Sequence, residues 1–265
     1  MQKRIRELEI VRSVTEAVYP DKDFLAAIAR GENPRVVDKE TVALDADFIQ
    51  FSRLTAAIED PLAVAEFMQS FMTGFNQIAD RNRGKVSNFT GDGAFVIWNG
   101  RLGPSKSLAV RERILMAINT AIELAQLADF LQHPMRFGIS VGQTVTYAIP
   151  ADSTGVRAFP VTTGNAMNLA TRIEASMRVF QNAPSGPPRS LIGIDGRCID
   201  LLREGGTDIP PHFLHIGEMT EKTDKFDLYR ILLTEPMAAH VQEVADTTER
   251  FIRQSSGART FATRP

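Results

Sequence analysis

Four residues in this chain have the types and spacing to move phosphate with metal ions. Asp47 closes the apolar run in VALDADFIQFSRL, and Asp92 lies 45 residues on, in the turn of GKVSNFTGDGAFVIW. Asn168 and Arg172 follow in TTGNAMNLATRIEA, four apart and so on one face of a helix. Two carboxylates can hold hard cations between their oxygens, and an arginine can neutralise a phosphate that gains charge in the transition state. Asp45, two residues before Asp47, points to the same side of a regular strand. Taken singly, each signal is ordinary. An aspartate opens many turns, and Gly-Asp-Gly supplies positive φ. Thr-Thr-Gly-Asn ahead of a helix serves as a cap, and two polar residues four apart usually mark a solvated face. Their order and context single them out.

Those residues need a folded frame, and the chain is long enough to build one. It has 265 residues, 43% hydrophobic and 23% charged, as in an ordinary soluble globular protein. The net charge of -2, with no long basic run, argues against a general nucleic-acid binder. The single Cys198 excludes an internal disulfide framework and a cysteine-rich zinc site, and points to a reducing cytoplasm. His133, His212, His215 and His240 show no metal-ligand spacing. No stretch of eighteen apolar residues exists, so no transmembrane helix and no membrane partner are expected. The charged segment MQKRIRELEIVRSVTEAV lacks an apolar signal core; Ile5, Leu8, Val11 and Val14 recur at helical spacing, as in a surface or dimer-contact helix.

Periodicity predicts helices over residues 1–18 and 23–30, then a β-rich run at TVALDADFIQF. A helix from Pro61 stops at Gly84, and KVSNFTGDGAFVIW reads as strand, turn, strand. A long helix over about 107–131 precedes RFGISVGQTVTYAI, read as a pair of strands. ADSTGVRAFPVTTG reads as a loop, NAMNLATRIEASMRVF as a helix and NAPSGPPRS as a connector. SLIGID, a helix at 196–203, a hairpin through FLHIGEMTEKTDKFDLYRILL, a helix at 236–254 and a frayed tail complete the chain. The order predicts an α+β fold with a ferredoxin-like βαββαβ core and added strands and helices, not a doubly wound sheet.

Over roughly residues 40–232 the motifs resemble the class III nucleotide cyclases, the adenylyl and guanylyl cyclase catalytic domains. DFIQFSRL resembles D-I-x-G-F-T-x-L, which makes Asp47 the first metal aspartate; the Phe51-Ser52 register favours it over Asp45. GKVSNFTGDGAFVIW resembles the hairpin with the second, Asp92. TTGNAMNLATRIEA resembles the helix that carries the transition-state pair, Asn168 and Arg172, and RFGISVG resembles R-x-G-I-x-x-G. EKTDKFDLYRI resembles the closing segment and offers Lys222 as a triphosphate contact, although the glycine that should follow is missing. The resemblance implies two Mg²⁺ or Mn²⁺ ions per site on Asp47, Asp92 and the Phe48 carbonyl. It also implies phosphate contacts at Phe51 and Ser52, and a head-to-tail homodimer with composite sites. The implied division is a helical extension (1–38), a catalytic domain (39–233) and a C-terminal helix with a tail (234–265).

Two positions depart from the family. Four residues before Asp92, where adenylyl cyclases carry Lys and guanylyl cyclases Glu, stands Asn88; at the second base-selecting position stands Val161. An amide can pair with the edge of uracil, and valine offers no hydrogen bond. With these residues the chain is similar to the pyrimidine cyclases of the Pycsar antiphage systems. That likeness implies UTP as substrate, cyclic UMP as product and a separate effector that reads it. The alternatives are a cytidylate cyclase, an adenylate cyclase with unusual selectors, and an inactive cyclase-like binding module.

Overall fold

The computed structural model describes residues 22–56, 60–150, 158–181, 189–209, 212–221, 224–233 and 236–255. The N-terminal helix expected at 1–18, most of the NAPSGPPRS connector, Lys222 and the tail lie outside them. In chain order the elements are α1 (Lys22–Ala29), β1 (Arg35–Phe48), α2 (Phe51–Ala56), α3 (Pro61–Arg81), β2 (Lys85–Phe89), β3 (Ala94–Trp98), α4 (Val110–Phe130) and β4 (Met135–Pro150). Then come β5 (Ala158–Gly164), α5 (Asn165–Ser176) with a 3₁₀ turn (Met177–Phe180), β6 (Leu191–Asp195), α6 (Gly196–Glu204), β7 (Phe213–Glu221), β8 (Asp224–Ile231) and α7 (Ala239–Ser255).

One eight-stranded sheet runs β2-β3-β1-β4-β6-β8-β7, with β5 also on β4. Its first four strands are antiparallel in the order β4-β1-β3-β2, which is the ferredoxin-like arrangement expected. Strand alternation gives each face its own core. Val42, Leu44, Ala46 and Phe48 meet α3, α4 and α7 in the main core. Ala43, Phe95 and Ile97 meet Ala166, Met167 and Ala170 of α5 on the opposite face.

Local chemistry sets the helix ends. Asp60 caps α3 by accepting from the Leu62 amide at 2.9 Å, and Pro61 opens the helix, where its missing N–H is no loss. Phe67, Phe71, Phe75 and Ile78 then fall on one buried stripe. Arg83 takes φ 54° and Gly84 returns an amide to Ala79 at 2.8 Å, which ends the helix.

Two expectations are corrected. RFGISVGQTVTYAI lies within one 16-residue strand, β4, because β1 pairs along it from Met135 to Tyr147 and its glycines make contacts rather than turns. AFPVTTG is strand β5, not loop. Strand β6 covers only Arg136–Ile139 of that edge of β4, so Thr144–Pro150 remain to pair with β5. Strand β1 begins at Arg35, inside the stretch set apart as an extension, and α7 places Val241 and Ala245 fully in the main core.

Candidate active site

Strand alternation and helix α5 separate the two β1 aspartates. Both point to the α5 face, yet Asp45 is buried, 6% exposed, and lies against the Thr171 hydroxyl of α5, whose one proton it shares with the Met167 carbonyl, 3.2 Å from that hydroxyl. The Asp47 side chain keeps 28% of its surface at the end of the strand. Burial lifts the Asp45 carboxyl to about 7; the Thr171 bond opposes the lift, whereas Glu174 and Asp47 add to it. Asp45 thus faces a helix, and Asp47 faces the open end of the sheet.

The β2–β3 turn brings Asp92 toward Asp47. Gly91 has φ 87° in open space, and the Thr90 amide bonds the Gly93 carbonyl at 2.9 Å to close the turn. A Cβ on Gly93 would lie 2.5 Å from the Ala46 carbonyl and 3.4 Å from Asp47 Oδ1, so only glycine lets the turn approach β1 this closely. Burial, and next the charge of Asp92, raises the Asp47 carboxyl to about 6, with Arg136 and Arg178 offsetting part of the rise.

Arg136, which sequence reasoning placed only within a motif, completes the cluster. It stands opposite Asp47 on β4 and donates to Asp47 Oδ2 at 2.6 Å, to Gln181 Oε1 at 3.0 Å and to Glu174. Arg136 and Glu174 are both about 5% exposed, so each neutralises a charge that would otherwise be buried alone. A lone arginine in an apolar strand, and a glutamate on the buried stripe of α5, were the available signals. With Oδ2 held by Arg136, Oδ1 lies on the side of the Gly93 turn.

These features fit a divalent ion. Two carboxylates converge with repulsion that a cation relieves. Among the described residues no group of three or more His, Cys, Asp and Glu gathers to hold a metal alone. One or two carboxylates completed by substrate phosphates is the usual magnesium complement.

Helix α5 carries Asn168, exposed, and Arg172, half-buried. It lies unusually close to β4. A Cβ on Gly138 would lie 2.5 Å from the Glu174 amide, one on Gly142 would lie 3.1 Å from the Ala166 amide, and Ser140 donates to the Ala166 carbonyl. Asn88 is exposed on β2 and pairs with Phe95, which in turn pairs with Asp45, so one cross-strand row joins them. The register shift between Val86 and Asn88 turns Asn88 onto that face. Val161 is half-buried on β5 opposite Tyr147, with β3, β1 and β4 between it and β2. Phe51 and Ser52 open α2 directly after Gln50, whose φ is 61°. A cavity of about 280 Å³ borders this turn between Phe48, Gln50, Arg53 and His133; neither aspartate lines it.

The same architecture recurs in solved cyclases. The adenylyl cyclase CyaB from P. aeruginosa superposes with a TM-score of 0.61 at 17% identity, over 78% of this chain and 100% of that one. The fold is that of a class III cyclase catalytic domain. A bacterial light-regulated adenylyl cyclase gives 0.62 at 15% identity, over 95% of this chain and 69% of that one. The guanylate cyclase domain of RhGC from Catenaria anguillulae, solved with GTP, gives 0.59 at 12%, over 76% and 100%. In sequence, Adenylate cyclase 1 of Rhizobium meliloti (strain 1021) is 26% identical over 144 residues, 51% of this chain; the match spans 20% of that longer protein. No family model matches the chain. Among the described residues no helix is long and apolar enough to cross a membrane.

Proposed function

We propose that this chain is a nucleotide cyclase that converts a nucleoside triphosphate to a 3′,5′-cyclic monophosphate and pyrophosphate. The observation that carries the reading is the convergence of Asp47 and Asp92 on the open end of a cyclase-type sheet, with Arg136 locking one Asp47 oxygen. Asp47, Asp92 and the Phe48 carbonyl would hold two Mg²⁺ or Mn²⁺ ions. Bound there, the ions would supply a lowered pKa at the ribose 3′-hydroxyl and charge neutralisation on the triphosphate. The 3′-oxygen forms its bond to the α-phosphorus as the bond to the bridging oxygen breaks, and pyrophosphate leaves. Arg172 stabilises the charge that develops and Asn168 orients the ribose. Phe51, Ser52 and Lys222 contact the phosphates.

In this reading the site is composite. Two copies pack head to tail, and each aspartate pair works with the Asn168 and Arg172 of the other copy. Asn88 and Val161 select the base, with UTP preferred and cyclic UMP as the product, read by a separate effector in antiphage defence in the cytoplasm. The exposed Asn88 amide on the face of Asp45 and Asp47 supports base contact. A second reading, an adenylate cyclase, has support of its own: the sequence relative and two of the structural relatives above carry that name. Incubating the pure protein with each of the four NTPs and Mn²⁺ decides between them. Cyclic UMP as the dominant product is expected. Dominant cyclic AMP overturns the pyrimidine assignment, and no turnover of any NTP favours an inactive binding module.

A further inference from the structure

Asp45 has no part in the chemistry above, yet a carboxylate there is an expensive choice. It lies between Ala43 and Asp47 on β1, with Phe95 and the bare Gly138 as cross-strand neighbours. A leucine would suit such a buried place better if stability alone mattered. The side chain reaches the hydroxyl of Thr171 on α5, three residues after Asn168 and one before Arg172; the same hydroxyl lies 3.2 Å from the Met167 carbonyl, so its one proton is shared between the two acceptors. The other pins on α5 come from β4: Ser140 to the Ala166 carbonyl, Arg136 to Glu174, and the close approaches at Gly138 and Gly142. Asp45 therefore holds the middle turn, where the proposed catalytic pair sits, and holds it from the strand that also carries Asp47.

We propose that Asp45 is a positioning residue that acts through Thr171: it sets α5 so that Asn168 and Arg172 meet the active site completed by the partner subunit. The proposal rests on the composite-site reading. One strand would then serve both sites of the dimer, Asp47 directly in one and Asp45 through the helix in the other. The bond lies inside one subunit, but its effect is felt in the site to which that subunit lends its helix.

This makes the effect subunit-specific, which a merely structural bond would not be. A heterodimer of Asp92→Ala and Arg172→Ala subunits keeps one intact site. The Arg172→Ala subunit gives that site its aspartates, and the Asp92→Ala subunit gives it the helix. Thr171→Val keeps the shape and removes the donor to both Asp45 and the Met167 carbonyl, whereas Asp45→Leu leaves the Met167 bond in place. Placed in the helix-giving subunit, it should lower kcat about 10- to 100-fold, the usual effect of a small misplacement, with KM and the Mn²⁺ requirement within about threefold. Placed in the aspartate-giving subunit, it should change kcat less than about threefold. Asp45→Leu should repeat the pattern. Thr171→Ser and Asp45→Asn, which keep a donor and an acceptor, should restore most of the activity. Equal losses from either subunit, a loss confined to the aspartate-giving subunit, or no loss in either overturns the proposal. If the parent heterodimer is inactive while the wild-type homodimer turns over, the composite-site reading fails first and takes the proposal with it.

Discussion

Asp47 must be ionised to hold a cation, yet burial and the charge of Asp92 raise its carboxyl to about 6. An unfolded aspartate titrates near 3.9, so between the two values the folded chain binds the extra proton. Stability from this group is therefore complete at low pH and declines as pH rises through about 6. A shift near two units corresponds to about 3 kcal/mol at most; the side chain is 28% exposed, so solvent screening reduces it to about 1–2 kcal/mol. Asp47→Asn removes that penalty and keeps an acceptor for Arg136. It should unfold at the same or a higher temperature than wild type at neutral pH, by the margin just given, while cyclase activity falls at least about 100-fold. In the wild type, Mn²⁺ affinity should rise about tenfold per pH unit below about 6 and level off above it, as measured by metal titration across that range. A flat profile would mean that Asp47 does not bind the ion. The aspartates were legible because each closes a recognisable strand or turn. Their partners were not: Arg136 meets Asp47 and Glu174 across separations of 89 and 38 residues, and no local pattern reports such pairings.

At the scale of elements, helix and strand positions followed from periodicity, but the function of the glycines did not. RFGISVGQTVTYAI reads as a pair of strands, whereas Gly138 and Gly142 are the places where α5 lies against an unbroken β4. Gly142 meets Ala166 and Gly138 meets the turn between Ala170 and Glu174, which makes contact rather than turning the reason for both. The two glycines should not be equally sensitive. Alanine at 138 drives its Cβ into the backbone of α5 between Ala170 and Glu174, which cannot yield without moving the helix. Alanine at 142 meets the Ala166 amide at 3.1 Å, a tight contact that a small shift relieves. Gly138→Ala should cost about 3 kcal/mol or more of stability and Gly142→Ala about 1 kcal/mol, read by urea unfolding. Activity should fall more for Gly138→Ala, since the displaced helix carries Asn168 and Arg172. Equal costs would show that the helix is not seated as described.

At the scale of the molecule, α7 is packed into the main core of the sheet. Gly74 of α3 lets Thr248 and Val244 approach, and Val241 and Ala245 are fully buried. A chain ending at residue 236 should expose that seam and lose about 3–5 kcal/mol, enough to leave much of it unfolded or aggregated at 37 °C. Unchanged melting after truncation would contradict the packing. Dimerisation poses the larger question, because one copy presents Asn168 on an exposed helix face while the buried Glu174 of the same helix faces its own aspartates. A helix that supports one set of aspartates with its inner residues has its outer residues left to serve another. If they do, Asp92→Ala and Arg172→Ala proteins, each inactive alone, should regain activity when mixed. With free exchange half the dimers are mixed, and each mixed dimer keeps one intact site of two. About a quarter of wild-type activity per subunit is therefore expected, with each site acting independently. Light scattering and a tagged-subunit pull-down confirm the exchange. Confirmed exchange without recovered activity would place the whole site within one chain.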